Sequence, residues 1–427
     1  MNKFVGYRCS LCGEQYSPPD VTYTCPKDGG NLDVVLDYDA LKNKYKPEDI
    51  LSRSDPSLWR FLPLLPVQEP PRAATPLHVA GGTPVYRMTR LAKKLGLQSL
   101  WLKDESRNPT ASFKDRASAI VVARAQEMAG ADGRPPVVVT ASTGNAGAAL
   151  AGMAAAVGQK AIIFAPKSAP QAKVAQLLVF GAKVILVDGT YDDAFDLTVK
   201  AAEEFGWYCR NTGYNPFTAE GKKTAALEIW EWWEGAHEKW HEEVSADEDH
   251  APLTIFVPVG DGNIISGIHK GFKDLYQLGW LPGMPRIVGV QAEGSAAISN
   301  AFHAGSEAIV PVSARTIADS ISVDLPRDGV RAVRATKETG GTYVNVSDEE
   351  ILQAIAELGT QGVFAEPAGA AAYAGLVKAA GSGVVGSEDP ILVLNTGSGL
   401  KDVRAAMQAV QPAPIIEPTL EAVKQLL

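Results

Sequence analysis

From Thr83 onward the chain alternates between short apolar runs and longer amphipathic or Ala-rich stretches, and this alternation constrains the fold most strongly. The apolar runs lack the period-two pattern of a half-exposed strand, so they predict strands buried on both faces of a parallel sheet. Helices between such strands cover the two faces. The predicted strands span residues 99–103, 136–142, 160–165, 183–188, 254–259, 286–293 and 391–396. The expected fold class is therefore α/β, with two mostly parallel sheets and a cleft between them.

The composition argues against several classes of protein. A net charge of −9 over 427 residues, with no long basic stripe, argues against a nucleic-acid-binding protein. The longest apolar run, 146–157, is too short and too rich in Gly and Ala for a membrane span, and residues 1–8 contain no apolar signal core. Four cysteines are too few for a disulfide framework, which favours a reducing compartment. We therefore expect a cytoplasmic protein whose partners are small molecules rather than nucleic acid or a membrane.

Residues 1–36 form a cysteine-bearing unit that looks like a zinc knuckle. Cys9 and Cys12 make one CxxC pair, and Cys25 opens a second turn in which Asp28 takes the place of a fourth cysteine. Three thiolates and one carboxylate can hold zinc, because zinc also accepts oxygen ligands. The alternative is a metal-free β-hairpin unit, which we favour because structural zinc sites are usually completed by Cys or His. Residues 37–84 are Pro-rich and predict an ordered arm leading into the main body, 85–427.

One lysine is placed for chemistry at the start of a predicted helix. Residues 108–110 predict a turn, Ser112 a helix N-cap and Asp115 its capping-box partner, before an apolar run at 117–125. Lys114 then lies in the first helical turn, where the helix dipole disfavours its ammonium form. A partly neutral lysine can attack a carbonyl and form a Schiff base. The alternative for an isolated lysine is an exposed surface charge.

Two further loops join a predicted strand to a predicted helix. Ser142 and Thr143, with the free amides of the helix that follows, predict a site for a small carboxylate, and Asn145 can donate to a ring oxygen. A well-capped turn is the alternative explanation of that loop. The second loop contains Gly260, Asp261, Gly262 and Asn263, and its glycines allow successive backbone N–H groups to wrap a phosphate. It lacks the Walker ending and the GxGxxG spacing, so a monophosphate fits best.

A last loop follows the final predicted strand. Thr396, in the run Thr-Gly-Ser-Gly, can hydrogen-bond a heteroaromatic nitrogen without carrying charge, although alone this run is merely a Gly-rich turn. Elsewhere, residues 228–250 are rich in Trp and Glu and predict an acidic surface helix whose tryptophans pack it down or form a subunit contact. His237 and His241 match the HExxH pattern of zinc proteases, but no third ligand is nearby and so short a motif often occurs by chance.

Together these segments supply a lysine, a carboxylate site, a phosphate cradle and a neutral hydroxyl, and pyridoxal phosphate requires each of them. With them the chain resembles the threonine synthases, within the tryptophan-synthase-like family of fold-type II pyridoxal phosphate enzymes. The matching segments are 108–116, 142–145, 181–184, 215–216, 220–224, 290–294, 316–318, 366–367 and 396–402. The resemblance implies a tryptophan synthase β-like body of two interleaved α/β domains, the smaller at about 130–225, and a homodimer.

The resemblance also implies a role for each residue of the predicted site. It implies that Lys114 attaches the cofactor and removes a proton, and that Asn145 binds the cofactor's 3′ oxygen. It implies that the cofactor's phosphate is bound by Gly260, Asp261, Gly262 and Asn263, and its ring nitrogen by Thr396. The substrate carboxylate would be bound by Ser142 and Thr143. A neutral Thr396 draws electrons less strongly than a carboxylate would, which suits elimination or replacement chemistry.

Several positions depart from the family pattern for the substrate's own phosphate. Ala146 stands where Thr or Ser is usual, Thr218 where Arg is usual, Asp261 where Asn is usual and Ser398 where His or Asn is common, and the cradle is one residue shorter. A carboxylate repels a phosphate, and losing an Arg removes a charge-assisted bond worth about 1.5–3 kcal/mol.

Three functions therefore remain open. The first is a lyase of threonine biosynthesis that converts O-phospho-L-homoserine and water to L-threonine and phosphate, which we favour because the similarity runs through both halves of the chain. The second is an ammonia-lyase or β-substitution enzyme acting on serine, threonine or another unphosphorylated amino acid, favoured by Thr218 and Asp261, unless Lys222 or Lys223 compensates. The third is a non-catalytic homologue, disfavoured because Lys114 is present.

Overall fold

The computed structural model describes residues 3–70, 75–244 and 252–426, and for 237–244 it describes the backbone alone. The strands are β1 Phe4–Cys9, β2 Gln15–Tyr16, β3 Leu32–Leu36, β4 Val85–Arg87, β5 Leu100–Asp104, β6 Val138–Ala141, β7 Ala161–Pro166, β8 Lys183–Val187, β9 Tyr208–Cys209, β10 Thr254–Pro258, β11 Arg286–Ala292, β12 Tyr343–Val346 and β13 Ile391–Asn395.

Fifteen α-helices are assigned in the described ranges, with short 3₁₀ segments between them. The helices are α1 Tyr38–Lys44, α2 Pro47–Leu51, α3 Thr89–Leu95, α4 Lys114–Glu127, α5 Asn145–Ala156, α6 Gln171–Val179, α7 Tyr191–Phe205, α8 Phe217–Val244, α9 Asn263–Gln277, α10 Ala297–His303, α11 Gly329–Glu338, α12 Asp348–Gly359, α13 Pro367–Gly381, α14 Val403–Gln408 and α15 Leu420–Lys424.

Two mostly parallel sheets form the body of the molecule. The larger has the strand order β12-β11-β10-β13-β5-β4, in which β4 alone pairs antiparallel to its neighbour, and the smaller has the all-parallel order β8-β7-β6-β9. Every residue of β5, β6, β10 and β13 is buried, which explains why their sequences show no alternation. The predicted α/β fold class with mostly parallel sheets is confirmed.

The N-terminal unit is a separate antiparallel sheet of order β2-β1-β3. After it, residues 58–64 form a 3₁₀ segment in which Leu58, Phe61 and Leu64 are fully buried in the main hydrophobic core. The Trp59 indole N–H donates to the carbonyl oxygen of Leu77 at 2.9 Å, which ties this segment to the next one. The Pro-rich stretch is therefore packed against the body by apolar burial.

Three tryptophans of α8 pack against the body, which agrees with one of the two predicted alternatives. Trp230 is buried and stacks on Trp280 with ring centroids 5.7 Å apart, and Trp232 and Trp233 both meet the ring of Trp101 edge-on. The side chains of the HExxH match at 237–241 lie outside the described residues. No helix of the described ranges is long and apolar enough to cross a membrane.

Candidate active site

Lys114 is the first residue of α4, as predicted. The backbone on its N-terminal side is held by the loop after β13: the N–H of Phe113 donates to the carbonyl of Thr396 at 2.9 Å, and the N–H of Ser398 donates to the carbonyl of Ala111 at 3.1 Å. Ala111 adopts a φ of 64°, which is unfavourable for a residue with a side chain and marks a tightly constrained turn. The lysine is therefore positioned by contacts from a segment almost three hundred residues away.

The predicted capping box at this helix is wrong. The Asp115 carboxylate accepts from the backbone N–H of Thr110 at 2.6 Å and from its hydroxyl, so it closes the preceding turn rather than pairing with Ser112. No side chain caps α4, and the buried Ser112 hydroxyl has no partner among the described residues. The two donors of Thr110 compete successfully for the carboxylate.

Burial lowers the pKa of Lys114 to about 8, and the charge of Arg210 adds to this effect. Glu366 and Asp261 oppose it, since a nearby negative charge favours the ammonium form. A minor fraction of Lys114 is therefore neutral near neutral pH, and the neutral form is the one that nucleophilic and base chemistry requires.

A buried charge network fixes the first turn of α4 from behind. The Arg116 guanidinium donates to Glu105 and Glu228 at 2.7–2.8 Å, and the Nζ of Lys103 lies 2.7 Å from Glu228. These four side chains are almost completely buried. Two positive and two negative charges balance there, so the network positions the helix that carries Lys114 without leaving a free charge.

Ser142 and Thr143 lie before α5, which begins at Asn145 and has no side-chain cap. Neither hydroxyl hydrogen-bonds another described side chain or backbone group, so the predicted alternative of a routine capping turn is not observed. Both residues line the main cavity, next to the exposed N–H groups of the helix start. This arrangement provides donors for a carboxylate.

The Asn145 amide donates to both carboxylate oxygens of Glu366, at 2.8 and 3.0 Å. Burial raises the pKa of Glu366, while the Asn145 hydrogen bonds and the charge of Lys114 act in the opposite direction. Sequence reasoning assigned no role to Glu366. The Glu-Pro pair at the start of α13 was among the segments that match the family, but that match assigned it no role.

Gly262 has a φ of 91°, and a Cβ at this position would lie 2.5 Å from the carbonyl oxygen of Asp328. The turn into α9 therefore requires glycine. The side chain of Asn263 points into the protein, where its amide donates to Asp328 at 2.6 Å and its oxygen accepts from Thr218 at 3.1 Å. Asn263 consequently offers a phosphate its backbone N–H rather than its amide.

Asp261 lines the same cavity and is half-buried, with its Oδ2 inaccessible to solvent. Its Oδ1 accepts the backbone N–H of Arg327 at 2.7 Å, and its Oδ2 has no partner among the described residues. Burial raises the pKa of this carboxyl to about 7, so much of it is neutral near neutral pH and repels an anion less than a carboxylate would.

A single cavity of about 570 Å³ joins all the predicted cofactor and substrate residues. The shared wall contains Lys114, Ser142, Thr143, Asn145, Gly260, Asp261, Gly262, Asn263 and Thr396. A half-buried lysine of lowered pKa, a glycine turn at a helix start and a neutral hydroxyl fit pyridoxal phosphate. The residues present therefore fit that cofactor on geometry as well as on type.

Two buried cations near this cavity were not assigned to the site from the sequence. Lys222, named only as a possible compensation, lines the cavity and contacts the side-chain oxygen of Asn263. Arg210 lies behind Thr212, which is in the cavity wall, and burial lowers the pKa of its guanidinium to about 10. Nothing in the local sequence of Arg210 distinguishes it from a surface arginine.

The predicted metal ligands of the N-terminal unit are also brought together. One ligand atom from each of Cys9, Cys12, Cys25 and Asp28 lies within 4.8 Å of all the others. The Sγ atoms of Cys12 and Cys25 are 3.8 Å apart, and the Sγ of Cys9 is 3.3 Å from Asp28 Oδ1. The backbone N–H of Leu11 donates to the Cys9 sulfur at 3.3 Å, which supports the negative charge of a thiolate ligand.

The sequence profile of the family "Pyridoxal-phosphate dependent enzyme" matches residues 77–397. The chain belongs to this family. It is 37% identical to a threonine synthase of Methanocaldococcus jannaschii over 98% of both chains. It is 36% identical to one of Methanosarcina acetivorans over 98% of both chains. It is also 36% identical to one of Mycobacterium tuberculosis over 78% of this chain and 87% of the relative.

Solved structures support the same fold for this pyridoxal-phosphate dependent enzyme. Threonine deaminase isoform 2 of Solanum lycopersicum superposes with a TM-score of 0.63 and 22% identity, covering 81% of this chain and 92% of its own. The diaminopropionate ammonia lyase of Escherichia coli gives a TM-score of 0.64 and 21% identity, covering 86% and 93%. At these identities the likeness shows the fold alone.

Proposed function

We propose that the enzyme converts O-phospho-L-homoserine and water to L-threonine and inorganic phosphate. The observation that carries this proposal is that Lys114 and two helix N-termini, those of α5 and α9, open on one cavity. Helix N-termini bind anions, so the cavity accommodates both a carboxylate and a phosphate ester beside a reactive amine. The near-full-length relatives named threonine synthase support the same substrate.

We assign the residues of the cavity as the resemblance implies. Lys114 would carry the cofactor, the backbone N–H groups of residues 260–263 would bind its phosphate, and the Thr396 hydroxyl would hydrogen-bond its ring nitrogen. Asn145 would donate a hydrogen bond to the cofactor's 3′ oxygen, and the Asn145 amide would then have to share or give up a hydrogen bond to Glu366. When bound, pyridoxal phosphate supplies an electron sink for charge that develops at the substrate carbons.

The reaction moves protons, and Lys114 is the group placed to carry them. Phosphate leaves Cγ of the substrate with the bonding electrons, Cγ gains a proton, and Cβ loses a proton and gains the hydroxyl of water. Once the substrate amine has taken its place on the cofactor, the Nζ of Lys114 would accept the proton from Cα and later return it there, and its lowered pKa keeps part of it neutral for this role. Ser142 and Thr143 hold the substrate carboxylate, so the same face of the substrate stays towards this amine.

The alternative reaction is elimination from serine, threonine or another unphosphorylated amino acid. The relatives do not favour it, because those that match over nearly the whole chain are named threonine synthases. The deaminase and ammonia lyase resemble this chain in fold at little more than one fifth identity. Thr218 and Asp261, which first pointed to this alternative, are compatible with a phosphorylated substrate because the cavity contains Lys222 and because burial raises the pKa of Asp261.

The test is to incubate the purified holoenzyme with O-phospho-L-homoserine, and separately with L-serine and L-threonine. We expect phosphate and threonine to appear in equal amounts from the first substrate, and little keto acid from the others. Keto acid from serine or threonine, without turnover of the phosphorylated substrate, would contradict the proposal. The Lys114→Ala variant is the control for adventitious phosphatase activity.

We also propose that the N-terminal unit binds one zinc ion through Cys9, Cys12, Cys25 and Asp28. A tetrahedral site with Zn–S bonds of about 2.3 Å places its sulfurs about 3.8 Å apart, and the Cys12–Cys25 separation is 3.8 Å. This geometry weighs against the metal-free unit that the residue types alone favoured. Metal analysis of the purified protein should find about one zinc per chain, lost in Cys12→Ser and retained in Cys209→Ser. An equal content in both variants would contradict the site.

The assembly and compartment remain proposals. We propose a homodimer because the resemblance implies one, and a cytoplasmic location because all four cysteines are free. Light scattering coupled to size-exclusion chromatography would test the first, since a monomer at the concentrations used for activity contradicts it. Fractionation of cells expressing the native protein would test the second, and recovery outside the cytoplasmic fraction contradicts it.

A further inference from the structure

Two buried cations beside the cavity have no carboxylate partner in the part of the chain that the structure describes. Arg210 is fully buried, and the hydrogen bonds of its guanidinium to described residues go to the hydroxyls of Ser118, at 3.3 Å, and Thr212. Its Nη2 has no partner among the described residues. Lys222 is fully buried too, and the contact of its Nζ is the neutral side-chain oxygen of Asn263.

The other deeply buried cations of the described chain are arranged differently. Each of them contacts a carboxylate, namely Arg60, Arg116, Arg331, Lys103, Lys223 and Lys270. Burying a charge is strongly unfavourable unless an opposite charge compensates for it. The two exceptions therefore indicate that an anionic ligand supplies the missing charge.

The position of the two cations identifies the cavity as the place for that anion. Lys222 and Thr212 are both in its wall, and Thr212 accepts from the guanidinium of Arg210. Burial lowers the pKa of both Lys114 and Lys222, and the charge of Arg210 lowers both further, so the three cations act on one region. Two carboxyls of raised pKa, Asp261 and Glu366, lie near them, and Asp328, which also acts on Lys222, is already paired with Arg331. The region thus has a surplus of positive charge.

Lys222 also occupies the neighbourhood of the missing family arginine. The hydroxyl of Thr218, which stands where that arginine is usual, contacts the same side-chain oxygen of Asn263 as the Nζ of Lys222. A cation one helical turn further along α8 is thereby placed beside the position that lost one. This chain therefore keeps a positive charge in this region, but at position 222 instead of position 218.

We propose that Arg210 and Lys222 bind the phosphate group of the substrate, in place of the family arginine. This inference rests on the proposed function, because it takes the substrate to be a phosphate monoester. The cofactor carries a phosphate monoester as well, but the backbone N–H groups of the turn into α9 are already available to it. The cations are therefore assigned to the substrate, and the experiment separates the two sources.

The experiment compares Arg210→Met and Lys222→Met holoenzymes with wild type and with Arg60→Met, a buried arginine paired with Glu231 outside the cavity wall. In each cavity variant we expect KM for O-phospho-L-homoserine to rise roughly ten- to a hundredfold, as loss of one charge-assisted hydrogen bond predicts. The thermal shift that inorganic phosphate gives the holoenzyme should weaken in parallel. Cofactor affinity, measured by its visible absorbance, should remain within about threefold, and Arg60→Met should leave KM unchanged.

Thermal stability distinguishes this role from a structural one. Removing an uncompensated buried charge should not lower the Tm of the Arg210→Met protein, and Arg210→Lys should recover part of the lost KM. Unchanged KM and phosphate response in both variants would overturn the inference. Loss of cofactor affinity at unchanged KM would also overturn it, because the pair would then serve the cofactor phosphate. If wild type binds phosphate but does not turn over the substrate, the proposed function fails, and with it the assignment to a substrate phosphate.

Discussion

The backbone N–H of Phe113 donates to the carbonyl oxygen of Thr396 at 2.9 Å, which joins the residue before Lys114 to the loop after β13. The proposed cofactor-attachment residue and the proposed partner of the ring nitrogen are thus fixed to each other through backbone atoms. The hydrogen bond fixes the spacing of the two backbone segments from which these side chains extend. A change that moves the loop after β13 should consequently move Lys114 as well.

Gly397→Ala should disrupt this arrangement. A Cβ at position 397 would overlap the carboxylate of Glu366, so the loop or Glu366 has to move. We expect weaker cofactor binding and a lower Tm, both measured on the purified variant. Gly235→Ala is the matched control, because a Cβ there meets nothing within 4 Å on the exposed side of α8. That change should stabilise the helix by up to about 1 kcal/mol. If Gly397→Ala bound the cofactor as well as Gly235→Ala does and had no lower Tm, the link between this loop and Lys114 would be contradicted.

Recombination of the apoprotein with pyridoxal phosphate should accelerate with rising pH. The neutral amine is the nucleophile, and burial lowers the pKa of Lys114 to about 8, so the rate should level off above a midpoint near that value. Removing the positive charge in Arg210→Met should raise this pKa and shift the midpoint upward. Stopped-flow absorbance measures the rate at each pH. A midpoint at the ordinary lysine pKa, or no shift in the variant, would contradict the assigned environment.

Arg116→Met should be severely destabilising. It leaves the buried carboxylates of Glu105 and Glu228 without their guanidinium, and breaking a buried pair in this way costs about 3–5 kcal/mol. Urea unfolding measures the loss. Arg210→Met removes a guanidinium of the same size and burial and should show no such loss, since no carboxylate depends on it. Equal losses in the two variants would mean that Arg210 has a hidden structural partner.

Removing the proposed zinc should weaken cofactor binding at a distance. The amide of Asn31 donates to the carbonyl of Arg327 at 3.0 Å, and the N–H of Arg327 holds the Asp261 carboxyl at 2.7 Å. The N-terminal unit is thus connected to the phosphate turn. We expect a lower Tm and a several-fold weaker cofactor affinity in Cys12→Ser, by titration of absorbance. Lys27→Ala, an exposed change in the same unit, should have neither effect, and identical affinities in both variants would contradict the connection.

Much of the fold was predictable because its strands are buried on both faces. The run at 254–259 was predicted as a strand and β10 spans Thr254–Pro258, since an apolar run bounded by polar and glycine residues has few alternatives. The three-residue edge strand β4 was not predicted, because so short and half-exposed a segment carries no periodic signal. The loops of the site were predictable for a related reason, because ligands bind beyond the carboxyl ends of parallel strands, here β5, β10 and β13 of the larger sheet and β6 of the smaller one.

The charges of the site were harder to predict. Arg210 is distinguished by being buried without a carboxylate partner among the described residues. This feature arises only when distant segments of the chain pack around it, so the local sequence does not reveal it. Glu366 likewise acquires a role through its contact with Asn145, 221 positions away. The error at Ser112 had a local cause, since Thr110 offered Asp115 two donors that the capping rule does not weigh.

The central claim is that Lys114, and not the neighbouring Lys222, forms the bond to the cofactor. Both lysines are in the wall of one cavity and burial lowers the pKa of both, so the claim is open to a direct test. The holoenzyme should be treated with borohydride, which makes the lysine–cofactor bond permanent, then digested and analysed by mass spectrometry. The account predicts the added mass on the peptide that contains Lys114. Added mass on the Lys222 peptide, or on neither, would contradict it.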